Sequence, residues 1–408
     1  MAVTGSITTR FVDEKGVDLG KTLIEKDYLI SVYPNIVNQL DTPSLWMWGE
    51  NYRGQLGDNT RTQSISPIET VAKGMNWKQV SAGYKSSAGI KTDGTLWCWG
   101  YNSYGQLGDN TLTPKSSPVQ TVAFGTNWKQ VFCGRSGSTS SSQTAAIKTD
   151  GTLWTWGYNF NGSLGDNTIS TNRSSPVQTV AFGTNWKFVS VGRANMAALK
   201  TDGTLWCWGN NPYGDLGDNT ALSRSSPVQT VAFGTNWKQV SKGGYHTAAI
   251  KMDGTLWCWG RNNFGQLGDN TATDRSSPVQ TVTFATNWKQ VSCGYYHTSA
   301  VKTDGTLWCW GLGTSGQLGD NTATSKSSPV QTVAFGSVWK ESSCGKNYVG
   351  AIKTDGTLWF FGQNTNGQLG DNTLTSRSSP VQTVLYGYYW KQFSAGEYFT
   401  GAIKDGDI

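Results

Sequence analysis

Short apolar runs separated by turn-forming residues recur along this chain from about residue 44 onward. The stretch from 256 to 302 shows four such runs, each bounded by Gly, Asp, Asn, Ser or Pro: Leu256–Trp259, Pro278–Val282, Trp288–Ser292 and Thr298–Lys302. Runs of four or five residues rich in Trp, Val, Thr and Ile favour β-strands, and no stretch has helical periodicity. The pattern therefore predicts an all-β protein.

A fixed string marks the period of this pattern. Leu-Gly-Asp-Asn-Thr occurs seven times, and neighbouring copies lie 51 to 57 residues apart. Such a period indicates a solenoid, a propeller or an array, because one unit cannot bury its apolar face alone. Four strands in each of seven units predict a seven-bladed β-propeller with four antiparallel strands per blade. An open β-solenoid is the alternative, but the terminal repeats lack the distinct caps that it would need.

The two ends of the repeat region complement each other. In the interior repeats, Lys-Thr-Asp-Gly-Thr-Leu-Trp is a hairpin signal that joins two strands. The first repeat lacks the leading half of this hairpin and the last repeat lacks the trailing half. We therefore predict that strand 45–49 pairs with strand 401–404 and closes the ring. This divides the chain into an N-terminal arm (residues 1–43), which either anchors the protein to another body or packs on the disc, and a propeller (residues 44–408).

Three motifs of the fifth copy carry a resemblance to a known family. They are Trp-Gly-x-Asn-x-x-Gly-Gln-Leu-Gly at Trp259–Gly268, Gly-Tyr-His-Thr-Ala-Ala at Gly244–Ala249 and Asp-Gly-Thr-Leu-Trp at Asp253–Trp257. The chain resembles the regulator of chromosome condensation repeat family over roughly residues 44–404, which implies the seven-bladed propeller. Members of this shape include an exchange factor for the Ran GTPase, ubiquitin-ligase domains and bacterial inhibitors of β-lactamases, so the resemblance does not fix a function. The layout of a short arm before near-identical repeats also looks like repeat proteins of phages and large viruses.

The basic residues recur in columns rather than in one patch. The chain has 33 basic and 27 acidic residues, a net charge of +6. One column follows a Trp, a second precedes Asp-Gly and a third precedes Ser-Ser-Pro. A nucleic-acid-binding protein concentrates its positive charge on one face or stripe. We therefore expect these basic residues to be solvated and paired with nearby Asp, and a ring of basic residues that contacts DNA is the disfavoured alternative.

No residue constellation indicates catalysis or a cofactor. The seven cysteines fall in two columns where other repeats place apolar or small residues, so we expect reduced thiols within the packing. The two histidines, His246 and His297, share a column without metal-binding or catalytic partners, and no zinc pattern occurs. The repeated Asp of Leu-Gly-Asp-Asn-Thr is expected in an Asx-turn, with cation binding as the alternative. We expect no enzyme activity, no metal and no cofactor.

The loops that differ between repeats are expected on one face of the disc. Connections in a four-stranded meander alternate between its two ends, so the loop after Trp-Gly and the loop before Thr-Ala share a side. These loops are rich in Tyr, Arg and Asn, the usual material of a recognition surface. Neutral drift in solvent loops is the alternative. The predicted partner-binding residues are Tyr52, Tyr101, Tyr104, Phe160, Tyr213, Tyr245, His246, Phe264, Tyr295, Tyr296 and Tyr348.

Two classes of function fit these expectations. The first is a non-catalytic phage virion component, such as a tail fibre, adhesin or capsid-decoration protein, that attaches through its arm and binds a virion or host-surface protein, or a glycan. The alternative is a cellular regulator of the guanine-nucleotide exchange or protein-inhibitor type. No apolar segment suits a signal peptide or membrane insertion. We therefore expect the protein in the virion or otherwise in the cytoplasm.

Overall fold

Seven four-stranded antiparallel sheets form the structure, a computed structural model. It describes residues 43–71, 76–122, 125–134, 142–180, 183–231, 234–333, 338–385 and 389–405. The predicted arm falls outside these residues except for Pro43, and its anchoring role stays a prediction. No helix in the described part of the chain has the length and apolar character needed to cross a bilayer.

Six blades each consist of four consecutive strands, and a 3₁₀ turn lies at Phe160–Gly162. Blade by blade the strands are β3 (Trp77–Ala82), β4 (Ser86–Lys91), β5 (Leu96–Gly100), β6 (Lys115–Gln120); β7 (Trp128–Cys133), β8 (Gln143–Lys148), β9 (Leu153–Gly157), β10 (Arg173–Gln178); β11 (Trp186–Val191), β12 (Asn195–Lys200), β13 (Leu205–Gly209), β14 (Arg224–Gln229); β15 (Trp237–Lys242), β16 (His246–Lys251), β17 (Leu256–Gly260), β18 (Arg275–Gln280); β19 (Trp288–Cys293), β20 (His297–Lys302), β21 (Leu307–Gly311), β22 (Lys326–Gln331); β23 (Trp339–Cys344), β24 (Tyr348–Lys353), β25 (Leu358–Gly362) and β26 (Arg377–Gln382).

The seventh blade closes the ring from both ends of the repeat region, as predicted. Its order is β2 (Ser64–Glu69), β1 (Ser44–Gly49), β28 (Phe399–Lys404) and β27 (Trp390–Ala395). In the β1–β28 pair, Leu45 lies opposite Ile403 and Met47 opposite Gly401. Closure thus uses the full length of both terminal strands, and the seven-bladed prediction is confirmed.

The outer strand of each blade begins earlier than the apolar pattern indicated. The strand predicted at Pro278–Val282 is β18, which starts at Arg275. Arg275 pairs with Gly260 across a bulge, and Val279 pairs with Cys258. Pro278 is tolerated because the outer strand is an edge strand, where a missing N–H costs no ladder bond.

The core lies between blades. Each of seven apolar clusters joins residues of two neighbouring blades; one combines Leu56 with Trp77 and Trp99 of the next blade. Trp99 Nε1 donates to the Gln55 carbonyl at 2.9 Å. Gly57 has φ +68°, and a Cβ there would lie 2.8 Å from Trp99 Nε1. The repeated Leu-Gly is therefore the point where one blade packs onto the buried Trp of the next.

Most of the residues that recur at equivalent positions of the repeats make contacts within the fold. All seven cysteines are buried and none forms a disulfide, and burial raises the pKa of Cys133 and Cys207 to about 12, as expected for thiols within the packing. The basic residues before Ser-Ser-Pro do pair with Asp, as Arg275 does with Asp269 at 3.1 Å. The column before Asp-Gly differs from expectation, because its lysines lie over tryptophan rings; Lys251 Nζ is 4.3 Å from the Trp257 ring centre.

The innermost strands surround a central cavity of ≈ 190 Å³. Gln79 bridges two of these strands by donating to the Val131 carbonyl at 2.9 Å and accepting from its N–H at 3.0 Å. Phe188 replaces this Gln in β11 and contacts Phe132 edge to face, with ring centres 5.1 Å apart. Corresponding amide bridges link β15 to β19, β19 to β23 and β27 to β3, whereas the junction between β7 and β11 has aromatic packing.

Candidate functional site

Two sets of loops lie together at one end of the blades, as the alternation of connections predicted. The loop after each inner strand contacts the loop that follows Trp-Gly, since Arg261 N–H donates to the Tyr245 carbonyl at 2.9 Å. We call this surface the loop face. The Asp-Gly hairpins and the connections between blades lie at the opposite end, where Trp128 N–H donates to the Gly94 carbonyl at 3.1 Å.

A ring of glycines at the end of the inner strands supports the loop face. A Cβ at Gly243 would lie 2.5 Å from the Gly294 carbonyl of the next blade, and Gly396 and Gly83 meet similarly at the closing blade. Backbone bonds follow the same direction, as Glu397 N–H donates to the Gly83 carbonyl at 2.9 Å. These close approaches leave no room for side chains, so each loop is fixed by its neighbour.

The larger group of candidate residues forms one continuous cluster, which we call the tyrosine–arginine cluster. Tyr245 stacks on Tyr296 with ring centres 5.4 Å apart and contacts Tyr295 at 5.2 Å. Phe264 contacts Tyr296 at 5.1 Å. Tyr213 contacts Tyr245 at 5.5 Å. Five of the predicted residues, drawn from three blades, therefore meet.

Two arginines belong to the tyrosine–arginine cluster. The Arg261 guanidinium lies 4.7 Å from the Tyr213 ring centre, 5.3 Å from that of Tyr245 and 5.4 Å from that of Tyr296. Arg193 lies over Tyr245 at 4.9 Å and donates to its hydroxyl. Burial raises the pKa of the Tyr296 hydroxyl above its ordinary value. The cluster therefore presents cations and hydroxyl groups on a rigid aromatic base.

A second aromatic group, which we call the second cluster, lies on the neighbouring blades. Tyr104 contacts Tyr158 with ring centres 4.8 Å apart and Tyr101 at 6.3 Å. Phe160 stacks on Tyr158 at 6.1 Å and is exposed. Tyr158 is a member that the sequence reasoning did not single out, although it directly follows Trp-Gly. Tyr52 joins neither cluster; it is exposed, and its hydroxyl lies 3.4 Å from Gln63.

Two of the predicted partner-binding residues, His246 and Tyr348, lie inside the molecule and are not part of the loop-face surface. Both side chains have 0% exposure. His246 Nε2 lies 2.9 Å from Thr298 Oγ1 of the next blade. Tyr348 donates its hydroxyl to the Phe399 carbonyl at 2.6 Å. As the first residues of β16 and β24, they face the neighbouring blade, so their aromatic character serves packing between blades.

Charged groups also meet on the loop face. Lys346 Nζ lies 2.6 Å from Glu397 Oε1 and 4.6 Å from the Tyr398 ring centre. Burial raises the pKa of the Glu397 carboxyl to about 8, against the lowering effect of Lys346. Burial likewise raises the pKa of Glu50, with Lys85 and Lys346 opposing. Lysines from loops of neighbouring blades therefore act on both acids, and the sequence alone does not show that these loops are neighbours.

A buried ion pair beneath the loop face is a further feature that the sequence reasoning missed. Lys242 Nζ lies 3.4 Å from Asp215 Oδ2 and donates to the Asp215 carbonyl and to Thr247 Oγ1, both at 2.7 Å. The side chains are 0% and 3% exposed. Burial raises the pKa of Asp215, while Lys242 lowers it. The signal was available, because both residues depart from their repeat columns.

The repeated Asp of Leu-Gly-Asp-Asn-Thr lies in a turn of its own loop. Among the described residues, no three His, Cys, Asp or Glu side chains are grouped so that they could hold a metal ion. The repeated Asp accepts bonds from its own loop, as Asp269 does from Thr271 N–H at 3.1 Å. The Asx-turn expectation for this column is therefore confirmed.

Comparison with known proteins agrees with the fold. The chain is 31% identical over 343 residues to the ultraviolet-B receptor UVR8 of Arabidopsis thaliana, covering 82% of this chain and 76% of that protein. It is 33% identical over 206 residues to the human probable E3 ubiquitin-protein ligase HERC4, covering 49% of this chain but only 19% of HERC4.

Solved structures show the same fold at low sequence identity. Human WBSCR16 superposes with a TM-score of 0.79 at 20% identity, covering 90% of this chain and all of that one. Yeast RCC1 (Prp20), solved bound to Kap60, superposes with a TM-score of 0.78 at 17% identity, covering 90% of each chain.

These comparisons favour the cellular-regulator alternative and leave the expected phage or viral origin, virion role and virion location without support. The RCC1-like domain family matches residues 44–402. The chain therefore belongs to the RCC1-like domain family.

Proposed function

We propose that this protein is a non-catalytic binding scaffold of the cellular-regulator type, which holds a protein partner against its loop face. The tyrosine–arginine cluster carries this proposal. Tyr and Arg are enriched at the energetic centres of protein interfaces, where their large side chains contribute contact area and hydrogen bonds. A cluster built from three blades and fixed by a glycine ring is organised before the partner arrives, which reduces the entropy cost of binding.

The relatives support a scaffold more than any single activity. Yeast Prp20 was studied for its binding to Gsp1p and to histones, and UVR8 is named as a receptor. A protein-binding propeller accommodates both. HERC4 is named as a ligase, but this chain spans 19% of it, so ligase activity is not part of the proposal.

Site-specific photo-crosslinking in cells tests which face binds. A benzoylphenylalanine placed at Tyr104 or Tyr245 replaces one aromatic ring by another on the loop face. The matched position is Met252, which is 57% exposed in an Asp-Gly hairpin at the opposite end. We expect a discrete crosslinked protein from the loop-face positions and none from Met252, and a product from Met252 alone would overturn the proposal.

Substitution of three loop-face rings tests the strength of the contact. Replacing Tyr104, Tyr245 and Tyr296 together by Ala should weaken capture of the crosslinked partner at least about tenfold, a loss of about 1.4 kcal/mol. Thermal unfolding should stay cooperative, because the rings lie above the cores between blades. Unchanged affinity in a folded triple variant would contradict the proposal.

A further inference from the structure

We propose that the tyrosine–arginine cluster binds an acidic peptide segment of the partner, with Arg261 contacting its carboxylates. This rests on the proposed function and narrows it to one chemical class. The two arginines at the ends of a single loop, Arg261 and Arg275, differ in whether an acid is paired with them.

Basic residues at the outer end of these loops already have acidic partners. The residue before Ser-Ser-Pro lies within 4.0 Å of the Asp of its own Leu-Gly-Asp-Asn-Thr in six blades: Lys115, Arg173, Arg224, Arg275, Lys326 and Arg377. Arg275 Nη2 lies 3.1 Å from Asp269 Oδ2. These charges are satisfied within the blade and are poor candidates for a ligand.

Among the described residues, Arg261, at the inner end of the same loop, has its guanidinium over three tyrosine rings, while the carboxylate of Asp274 accepts the Asn262 N–H at 2.7 Å. No carboxylate of the described residues lies within ion-pair distance of Arg261, and its one side-chain hydrogen bond runs from Nη1 to the Tyr296 hydroxyl at 3.3 Å. A guanidinium has five N–H donors in a planar fork that matches a carboxylate. Most of this fork is therefore open to a ligand.

The three tyrosine rings make Arg261 a better receptor than a free surface arginine. They hold its plane at 4.7 to 5.4 Å from their centres and leave it only partly exposed. A side chain ordered in advance loses less entropy on binding, and partial removal from water strengthens the attraction to an anion. Arg193, 4.9 Å from the Tyr245 ring centre, adds a second cation.

The surrounding charge favours an anionic partner as well. The described loop face carries six basic residues: Arg53, Arg61, Lys85, Arg193, Arg261 and Lys346. Of its acids, the Leu-Gly-Asp-Asn-Thr Asp of six blades pairs with the basic residue before Ser-Ser-Pro and Asp215 pairs with Lys242, which leaves four: Glu50, Asp58, Asp274 and Glu397. Glu50 and Glu397 are buried, and the exposed Asp274 accepts the Asn262 N–H at 2.7 Å. At the tyrosine–arginine cluster, a ligand therefore meets two arginines and several aromatic rings, with Asp274 as the exposed acid of the same loops.

A peptide fits this surface better than a nucleic acid does. Nucleic-acid binding requires cations spaced along a continuous stripe that follows the phosphates. Here the cations before Ser-Ser-Pro are paired with Asp, and the exposed lysine that follows the first Trp of each inner strand lies at the opposite end of the blades from the aromatic patch. Aromatic residues and Arg are enriched at protein interfaces, and the Arg fork matches a carboxylate, so the cluster suits an acidic peptide.

The test uses the full chain and fluorescence anisotropy with defined probes. The probe is a labelled peptide of alternating Glu and Ser, the control replaces Glu by Gln, and a labelled oligothymidylate represents nucleic acid. We expect saturable binding of the Glu peptide that weakens as salt is raised, and little binding of the Gln peptide. Equal binding of the two peptides, no binding of the Glu peptide, or tighter binding of the oligothymidylate would overturn the proposal.

Two arginines of one loop provide matched variants. Arg261→Gln should lower the affinity for the Glu peptide about tenfold. Arg261→Lys should lower this affinity less, because Lys keeps the positive charge but lacks the planar fork of N–H donors. Arg275→Gln removes the same side chain at a paired position and should leave affinity unchanged. Equal effects of the two Gln variants would overturn the assignment. Loop-face crosslinking without Glu-peptide binding would reject the acidic class alone, whereas crosslinking only from Met252 would reject the proposed function.

Discussion

Lys242 and Asp215 show how two residues can leave a repeat pattern together. Other blades place Ala, Cys or Val at the position of Lys242, and Gln or Ser at that of Asp215. Lys242→Ala should cost about 3 kcal/mol or more of unfolding free energy, because it leaves a buried carboxylate without its cation. Adding Asp215→Gln restores the residues of the other blades and should recover most of the loss. Urea denaturation of the four members of the cycle measures this coupling, and additive losses would contradict it.

His246 predicts a pH effect at the same buried junction. Burial lowers its pKa to about 3, with His297 and Lys242 acting in the same direction. The folded protein therefore holds His246 neutral, while the unfolded chain protonates near pH 6.5, so stability falls as pH drops from 6.5 towards 3. At pH 5 the loss from this group is about 2 kcal/mol.

The comparison variant for this pH effect is His246→Gln, since Gln143 occupies the same position in β8. Its unfolding free energy should fall less steeply than that of the parent between pH 7 and pH 5. Parallel pH profiles of the two proteins would show that His246 does not titrate as inferred.

At the scale of one element, the loop after Trp-Gly depends on an asparagine at its start. Asn262 Nδ2 donates to Asp269 Oδ1 at 2.8 Å and to the Thr271 carbonyl at 3.1 Å, and its Oδ1 accepts the Leu267 N–H at 3.0 Å. Asn262→Ala leaves that buried N–H unpaired and should cost about 2 kcal/mol. Thermal and urea unfolding measure the loss. The adjacent, exposed Asn263→Ala is the control, and equal losses would refute the bracing role.

The same loop shows what sequence could and could not predict. Period, turn residues and alternating connections predicted the strands, the ring and the common end of the loops, because these depend on local chemistry and on parity. The pairing of Arg261 with Tyr296, or of Lys346 with Glu397, depends on the rotation between blades, which no single repeat encodes. His246 and Tyr348 were placed on the surface by their position beside variable loops, yet that column faces the next blade.

Gly313 replaces the bracing Asn in one repeat, where a Cβ would lie 2.1 Å from the Thr324 carbonyl, so that loop has its own backbone path.

For the whole molecule, the decisive contact is the pairing of the first strand with the last. Ser44 and Lys404 are register partners at the end where six other blades carry an Asp-Gly hairpin. Deleting residues 401–408 removes most of β28 and exposes the cores on both sides of the closing blade. In larger domains a loss of 1 kcal/mol of stability lowers the melting temperature by roughly 2–4 °C, and we expect this deletion to lower it by well over that amount.

A circular permutant distinguishes lost closure from a merely shortened chain. Joining Lys404 to Leu45 through Thr-Asp-Gly-Thr rebuilds the hairpin of the other blades, and new termini can open between Glu69 and Trp77. All four strands of the closing blade then follow one another in sequence, so the ring no longer depends on pairing of distant ends. We expect the permutant to melt cooperatively at or above the parent temperature in differential scanning calorimetry, and the truncated chain to melt lower and less sharply. A truncated chain with the parent melting temperature would show that closure does not hold the disc together. A permutant that melts as low as the truncated chain would show that the truncation does not act through loss of the β1–β28 pairing, since the permutant retains that pairing and every interface between blades.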